Sequence, residues 1–97
     1  MDQAVVTGVG HLLADEILWR ARLDPRRPAG ELSTEELDRL RREVRAATRS
    51  AIRRGGAHTG DVIAARRRGA VCPRCGTEMQ RATVGGRTTF WCPAEQR

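Results

Sequence analysis

The chain has 97 residues and a formal net charge of +6, from 18 basic and 12 acidic side chains. A chain of this length suits one small domain or two very small subdomains, and no apolar run in it is long enough to span a membrane. The N-terminus lacks the apolar region of a secretory signal peptide, which predicts a soluble, cytoplasmic protein.

Every basic residue is Arg, and the positive charge lies mainly in the second half of the sequence. Residues 45–97 hold 11 Arg against 3 acidic residues, whereas residues 1–44 hold 7 Arg against 9. A guanidinium group presents a planar fork of donors that fits phosphate oxygens. The asymmetry therefore favours a polyanionic partner. A codon preference for Arg would give the same composition.

Residues 9–22 are predicted to form the first helix. Their apolar side chains fall within one broad arc at helical spacing, with Asp15 and Glu16 outside it. Two glycines in residues 7–10 predict a tight turn before the helix. Trp19 is expected to lie in or near the core.

A second helix is predicted from about residue 34 to residue 54. Ser33 and Glu36 have the spacing of a capping box, in which each side chain bonds the backbone amide of the other residue. Gly55-Gly56 supplies the C-terminal stop.

The last turns of this second helix carry Arg49 and Arg53, which have no acidic residue at the pairing spacing. Both are candidate contacts to the phosphates of a polyanionic partner. Cations near a helix C-terminus also suit the helix dipole, which is a purely structural reason for them.

The remainder of the chain divides into a connecting segment and a hairpin. Residues 57–71 are rich in Arg and Gly and have weak periodicity, which predicts a linker. Residues 72–97 are predicted to form a β-hairpin, with strands at 79–84 and 88–91 joined by Gly85-Gly86.

Three cysteines and one glutamate have the spacing of a zinc ribbon. Cys72 and Cys75 form a Cys-x2-Cys pair, and Cys92 and Glu95 repeat that spacing with Glu in place of a fourth Cys. A carboxylate oxygen can bind Zn²⁺, so these four residues are the candidate ligands. His58 is an alternative fourth ligand, and loss of the metal, leaving three free thiols, is another possibility.

Two segments of the sequence resemble one family. Residues 7–21 (TGVGHLLADEILWRA) and 85–93 (GGRTTFWCP) are similar to the helix-two-turn-helix and finger motifs of formamidopyrimidine-DNA glycosylases and endonuclease VIII enzymes. The resemblance covers almost the whole chain, with weak support between residues 57 and 71. It implies a mainly α fold with a small β-hairpin: a helix-two-turn-helix domain (1–56), a linker, and a zinc-ribbon-like finger (72–97).

The resemblance also implies roles for individual residues. Gly8, Gly10 and His11 match the turn that contacts the DNA backbone near the lesion, with His11 at the position of the usual Asn. Arg87 matches the finger Arg that grips phosphates around the flipped nucleotide. The expected function is that of a damaged-DNA-binding module of a base-excision-repair glycosylase/AP lyase, with damaged or abasic double-stranded DNA as its partner.

The chain departs from the family pattern in three places. The family's nucleophile is an N-terminal Pro followed by Glu, whereas this chain begins Met1-Asp2-Gln3 and contains no Lys. The tract before the finger is short, and Glu95 replaces the fourth Cys. The chain alone is therefore expected to lack catalysis, and a separate catalytic domain is a candidate partner. The alternative function is a zinc-ribbon protein-interaction module with a basic face.

Overall fold

The computed structural model describes residues 3–97, with side chains described from Gly10 onward. The helices are α1 (Gln3–Ala21) and α2 (Thr34–Arg54), and the strands β1 (Gln80–Val84) and β2 (Arg87–Trp91) form one antiparallel sheet. Three short 3-10 turns lie in the connections, at Ala29–Glu31, Ala57–Thr59 and Ile63–Ala65. The predicted fold class, mainly α with a small β-hairpin, is confirmed. No helix among the described residues is long and apolar enough to cross a membrane.

Helix α1 begins earlier than the sequence predicts. It starts at Gln3 and runs through residues 7–10, so the tight turn predicted there is wrong. Amides beyond the first turn of a helix bond to carbonyls four residues earlier, and a glycine inside a helix costs only about 1 kcal/mol relative to Ala. The helix ends at Ala21, where Arg22 takes the left-handed conformation with a φ of 61°.

Asp15 and Glu16 face the interior, although the apolar periodicity of α1 places them outside its buried arc. Asp15 is only 5% exposed to solvent and Glu16 only 2%. The Asp15 Oδ2 atom accepts hydrogen bonds from Arg66 Nε (2.7 Å) and the Phe90 amide (3.3 Å), and Glu16 Oε1 accepts from the Val62 amide at 2.9 Å. The prediction failed because this face of α1 packs against irregular backbone and a strand, whose buried donors require acceptors.

Helix α2 begins and ends as predicted. The Ser33 hydroxyl accepts from the Glu36 amide at 3.1 Å, and the Glu36 carboxylate accepts from the Ser33 amide at 2.9 Å. At the other end Gly55 adopts a φ of 97°, a conformation that costs a glycine little, and the Gly56 amide bonds the Ala51 carbonyl at 2.7 Å. The capping box and the glycine stop are thus both confirmed.

Residues 57–71 pack into the molecule rather than forming the loose linker that their composition suggests. Val62 and Ala65 are 1% and 8% exposed. They belong to one buried cluster that includes Trp19, Val62, Ala65, Cys72, Met79, Phe90 and Cys92. The expected burial of Trp19 is confirmed. One core therefore joins α1, this segment and the hairpin, while the division into domains 1–56 and 72–97 stays a prediction.

The hairpin forms where the sequence predicts it. Gln80 pairs with Trp91 at one end of the sheet and Val84 pairs with Arg87 at the other. Gly85 and Gly86 have φ values of 58° and 79°, which the two-residue turn of a tight hairpin requires. Because β2 begins at Arg87, this side chain stands at the hairpin tip and is exposed.

Candidate metal centre and nucleic-acid interface

The four predicted metal ligands lie together at the base of the hairpin. One donor atom from each of Cys72, Cys75, Cys92 and Glu95 lies within 4.8 Å of all the others. Cys75 Sγ and Cys92 Sγ are 3.5 Å apart, and Cys72 Sγ is 3.5 Å from Glu95 Oε1. His58, the alternative ligand, is exposed and is not a member of this cluster.

The first pair of ligands is held by a local turn. The Gly76 amide bonds the Cys72 carbonyl and the Cys72 amide bonds the Thr77 carbonyl, both at 2.8 Å. Trp19 Nε1 donates to Cys72 Sγ at 3.3 Å from helix α1. This side of the cluster is therefore anchored both to its own knuckle and to the core.

The second pair lies in the segment 92–97, which we call the C-terminal knuckle. Its Gln96 side chain accepts from the Cys92 amide at 2.7 Å and donates to the Leu23 carbonyl at 2.9 Å. The backbone amide of Gln96 also donates a hydrogen bond to the Cys92 carbonyl at 3.0 Å. The knuckle is thereby fixed to the end of α1, and Glu95 is carried towards the thiols.

These spacings fit a tetrahedral ion. Two sulfurs at about 2.3 Å from one Zn²⁺ lie about 3.8 Å apart, and a sulfur and a carboxylate oxygen lie about 3.6 Å apart. The two distances of 3.5 Å approach these values. Three sulfurs and one oxygen are also donors that Zn²⁺ accepts. The four residues therefore fit a zinc ion in number and chemistry, and two of their donor-to-donor distances are close to those of a tetrahedral site.

The thiols differ in their readiness to ionise. A hydrogen bond with the Thr77 side chain is the main influence that lowers the pKa of Cys75 to about 7, while burial raises the pKa of Cys92 to about 11. The thiolate is the form that binds metals. A cation in the cluster would favour the ionised form of both thiols, so metal binding should release protons.

A second group of predicted site residues meets on the other end of the hairpin. His11 from α1 and Arg87 from the hairpin tip line the same small cavity, together with Asp15 and two threonines of β2. Its volume is about 10 Å³, close to the minimum for one water molecule. The His11 Nε2 atom is buried and has no hydrogen-bond partner among the described residues.

Arg49 and Arg53 lie elsewhere. They line a larger open cavity of about 390 Å³ with Arg20, Arg54 and Asp61. Arg20 follows His11 by nine residues, about two and a half helical turns, so the two side chains lie on opposite sides of α1. The structure thus brings His11 and Arg87 together and separates both from Arg49 and Arg53.

Two residues that sequence reasoning missed support these sites. Arg66, expected in a linker, bonds Asp15 and lies over the Phe90 ring at 5.2 Å. Arg74, between the first two cysteines, bonds Glu95 at 2.8 Å. The contacts of Arg66 with Asp15 and of Arg74 with Glu95 join residues far apart in the sequence, so no local pattern predicts them. The only available signal was the position of Arg74 between the two cysteines of the Cys-x2-Cys pair.

Sequence comparisons agree with this architecture. Residues 1–62 match the formamidopyrimidine-DNA glycosylase H2TH domain, and residues 69–94 match a zinc finger found in FPG and IleRS. The chain belongs to the formamidopyrimidine-DNA glycosylase H2TH-domain family. This confirms the resemblance drawn from residues 7–21 and 85–93. The finger match contains all three cysteines and stops one residue before Glu95.

Similar proteins include formamidopyrimidine-DNA glycosylases of Roseiflexus sp. (strain RS-1), 40% identical, and Laribacter hongkongensis, 42% identical, each over 111 aligned positions. These alignments cover 100% of this chain but only 41% of each relative. Because the alignments are longer than the chain, the chain lacks some positions that the relatives have. The shortening of the tract before the finger stays a prediction.

Several solved structures of similar fold are complexes with DNA. One is the Lactococcus lactis Fpg bound to an abasic site containing DNA, with a TM-score of 0.78 and 30% sequence identity. The superposition covers 91% of this chain and 36% of the Lactococcus chain. MutM in complex with carbocyclic 8-oxo-G containing DNA has a TM-score of 0.77 and 31% identity, over the same shares of the two chains.

Proposed function

We propose that this chain is the damaged-DNA-binding module of a base-excision-repair DNA glycosylase/AP lyase, and that it grips the phosphate backbone near the lesion. The observation that carries the proposal is the convergence of His11 and Arg87 on one cavity from two different elements. Family membership and the similar DNA-bound structures support it.

The cavity is too small for a phosphate, but the side chains at its mouth suit one. Arg87 is exposed and can donate two parallel hydrogen bonds to phosphate oxygens. The His11 Nε2 atom lies beneath the hairpin tip, so it would reach a phosphate through a bridging water or after a small shift of the tip. Contacts of this kind hold the protein on DNA without reading the sequence.

Gly8 and Gly10 are proposed to allow a DNA strand to approach α1 closely. A Cβ atom built at Gly10 would meet nothing within 4 Å, so this side of the helix is open. The surroundings of Gly8 lie outside the described residues. Since both glycines are inside a helix, their contribution would be space rather than free amides.

Arg49 and Arg53 are proposed to make a second and weaker contact. They lie on the opposite side of α1 from His11, so they would attract DNA through the general positive field or hold a more distant stretch of it.

Zn²⁺ is the proposed cofactor, held by Cys72, Cys75, Cys92 and Glu95. The ion would supply a structural cross-link between the two knuckles at the base of the hairpin. The proposed consequence for DNA is indirect, because a fixed base holds the hairpin tip and Arg87 against α1.

We also propose that bond cleavage depends on a separate catalytic domain. The buried carboxylates of Asp15 and Glu16 are already engaged by Arg66 and Arg20, at 2.7 and 2.6 Å. The sequence contains no Lys that could form a Schiff base. Addition of a family catalytic domain in trans should restore strand cleavage if this division of roles is correct.

Fluorescence anisotropy with two labelled duplexes, one undamaged and one with a stable abasic analogue, tests the DNA proposal. We expect tighter binding to the abasic duplex and a steep decrease with salt. Arg87→Gln should weaken binding about tenfold or more and reduce the salt slope by about 1. Arg42→Gln, which removes an exposed charge from α2, is the matched control and should change little.

Three results would change the proposal. If a chelator leaves binding unaltered, the metal has no part in it. Equal losses for the Arg87 and Arg42 variants would mean that only net charge matters. Failure to bind either duplex at low salt would favour the protein-interaction alternative, for which the exposed Ile52, 77% accessible, offers an apolar contact.

A further inference from the structure

Arg74 connects three parts of the molecule with one guanidinium group. Its Nε donates to Glu95 Oε1 at 2.8 Å, and its NH2 donates to the Trp19 carbonyl at 2.6 Å. The guanidinium carbon also lies 3.8 Å from the centroid of the Trp19 ring, within range of a cation–π contact. Helix α1 therefore holds Arg74, and Arg74 holds Glu95.

The bond from Arg74 leaves the carboxylate oriented towards the thiols. Glu95 Oε1 is 2.8 Å from Arg74 and 3.5 Å from Cys72 Sγ. A carboxylate oxygen has two lone pairs, so it can accept from Arg74 and still bind an ion. The other oxygen, Oε2, lies 3.7 Å from Arg22.

A carboxylate beside three thiols needs such help. As the thiols ionise, their charges repel the Glu95 carboxylate and disfavour it at the site. Arg74 and Arg22 offset this repulsion, because their guanidinium nitrogens lie 2.8 Å and 3.7 Å from the two oxygens of the Glu95 carboxylate. Metal-binding carboxylates are commonly oriented by hydrogen bonds of this kind.

We propose that Arg74 is the positioning residue that makes Glu95 an effective fourth metal ligand. The inference rests on the proposed zinc site. The proposed role requires an Arg at position 74, because one planar guanidinium group reaches Glu95, the Trp19 carbonyl and the Trp19 ring at the same time. A Lys at this position would keep the charge but would not make all three contacts.

This role can be tested by titrating the full chain with Co²⁺ and monitoring the thiolate-to-metal absorption band. The affinity for Zn²⁺ is then measured by competition with Co²⁺. We expect Arg74→Gln to weaken both metals about 10- to 100-fold, and Arg74→Lys to restore only part of the loss. Arg81→Gln removes an exposed Arg from β1 and is the matched control. The decisive background is Glu95→Cys, in which a fourth thiolate replaces the carboxylate.

In that background we expect the absorption to rise by roughly one third, as three thiolates become four. Arg74→Gln should then cost little, because there is no carboxylate left to orient. Equal losses in both backgrounds would overturn the proposal and assign Arg74 a general structural role. No loss in the wild-type background would also overturn it, while the zinc site would stand. If only the Glu95→Cys protein bound metal, both the Glu95 zinc site and the role of Arg74 would be wrong.

Discussion

Helix α2 and the C-terminal knuckle are positioned by different kinds of interaction. The ends of α2 are fixed by its own residues, with Ser33 and Glu36 at one end and Gly55 at the other. The C-terminal knuckle is fixed by partners about 70 residues away, through bonds from Gln96 to Leu23 and between Arg97 and the end of α1. Local sequence therefore determines the helix, whereas the tertiary fold determines the position of Glu95, a proposed metal ligand.

The largest effect is expected from breaking the knuckle's attachment to α1. Gln96 is 3% exposed, and its side chain satisfies two backbone groups, the Cys92 amide and the Leu23 carbonyl. Gln96→Ala leaves both unpaired, so the free energy of unfolding should fall by about 2–3 kcal/mol. Chemical denaturation in the presence of Zn²⁺ measures this change, and Co²⁺ affinity should fall with it.

Gln80→Ala is the control for that experiment. Gln80 is also a glutamine of the finger, but its side chain is exposed at the start of β1. It should change stability by a few tenths of a kcal/mol at most. If the two variants lost stability equally, the contacts between the knuckle and α1 would not hold the finger in place, and the contrast with α2 would fail.

A smaller effect is expected from breaking the local signal of α2. Ser33→Ala removes the hydroxyl that accepts from the Glu36 amide, at a cost of about 1 kcal/mol. The loss should appear in denaturation curves while Co²⁺ affinity stays at the wild-type value, since α2 contributes no ligand. A fall in metal affinity would show that the two regions are coupled more closely than their contacts suggest.

The same distinction explains what could be predicted from the sequence. The bounds of α2, the Gly85-Gly86 turn and the spacing of the metal ligands are local patterns, and the structure agrees with them. The burial of Asp15 and Glu16 could not be predicted, because their partners Arg66 and Val62 are about 50 residues away. The same holds for Arg74, because its partner Glu95 is 21 residues away and the two meet only when the hairpin has folded.

Arg27 links the two regions, and its effect should depend on pH. It bonds the Glu36 carboxylate at 3.0 Å and the Arg97 carbonyl at 3.0 Å, so it joins the N-terminal cap of α2 to the end of the knuckle. The Arg27 guanidinium is the main influence that lowers the pKa of Glu36 from its usual value of 4.5 to about 2.

A carboxylate with a lowered pKa in the folded state contributes stability above about pH 4.5, and that contribution is lost as the pH falls towards 2. We therefore expect the difference in Tm between the wild type and Glu36→Gln to be largest near pH 6 and to shrink steadily below pH 4.5. Because both side chains of the Arg27–Glu36 pair are partly exposed to solvent, this should be the smallest of the three effects.

All samples contain a chelator, so that release of a metal at low pH does not alter the measured Tm. Glu35→Gln is the control, because Glu35 lies on the same helical turn as Glu36 but does not bond Arg27. A difference in Tm that stayed constant between pH 6 and pH 3 would mean that the ionised Glu36 carboxylate gains no stability from Arg27.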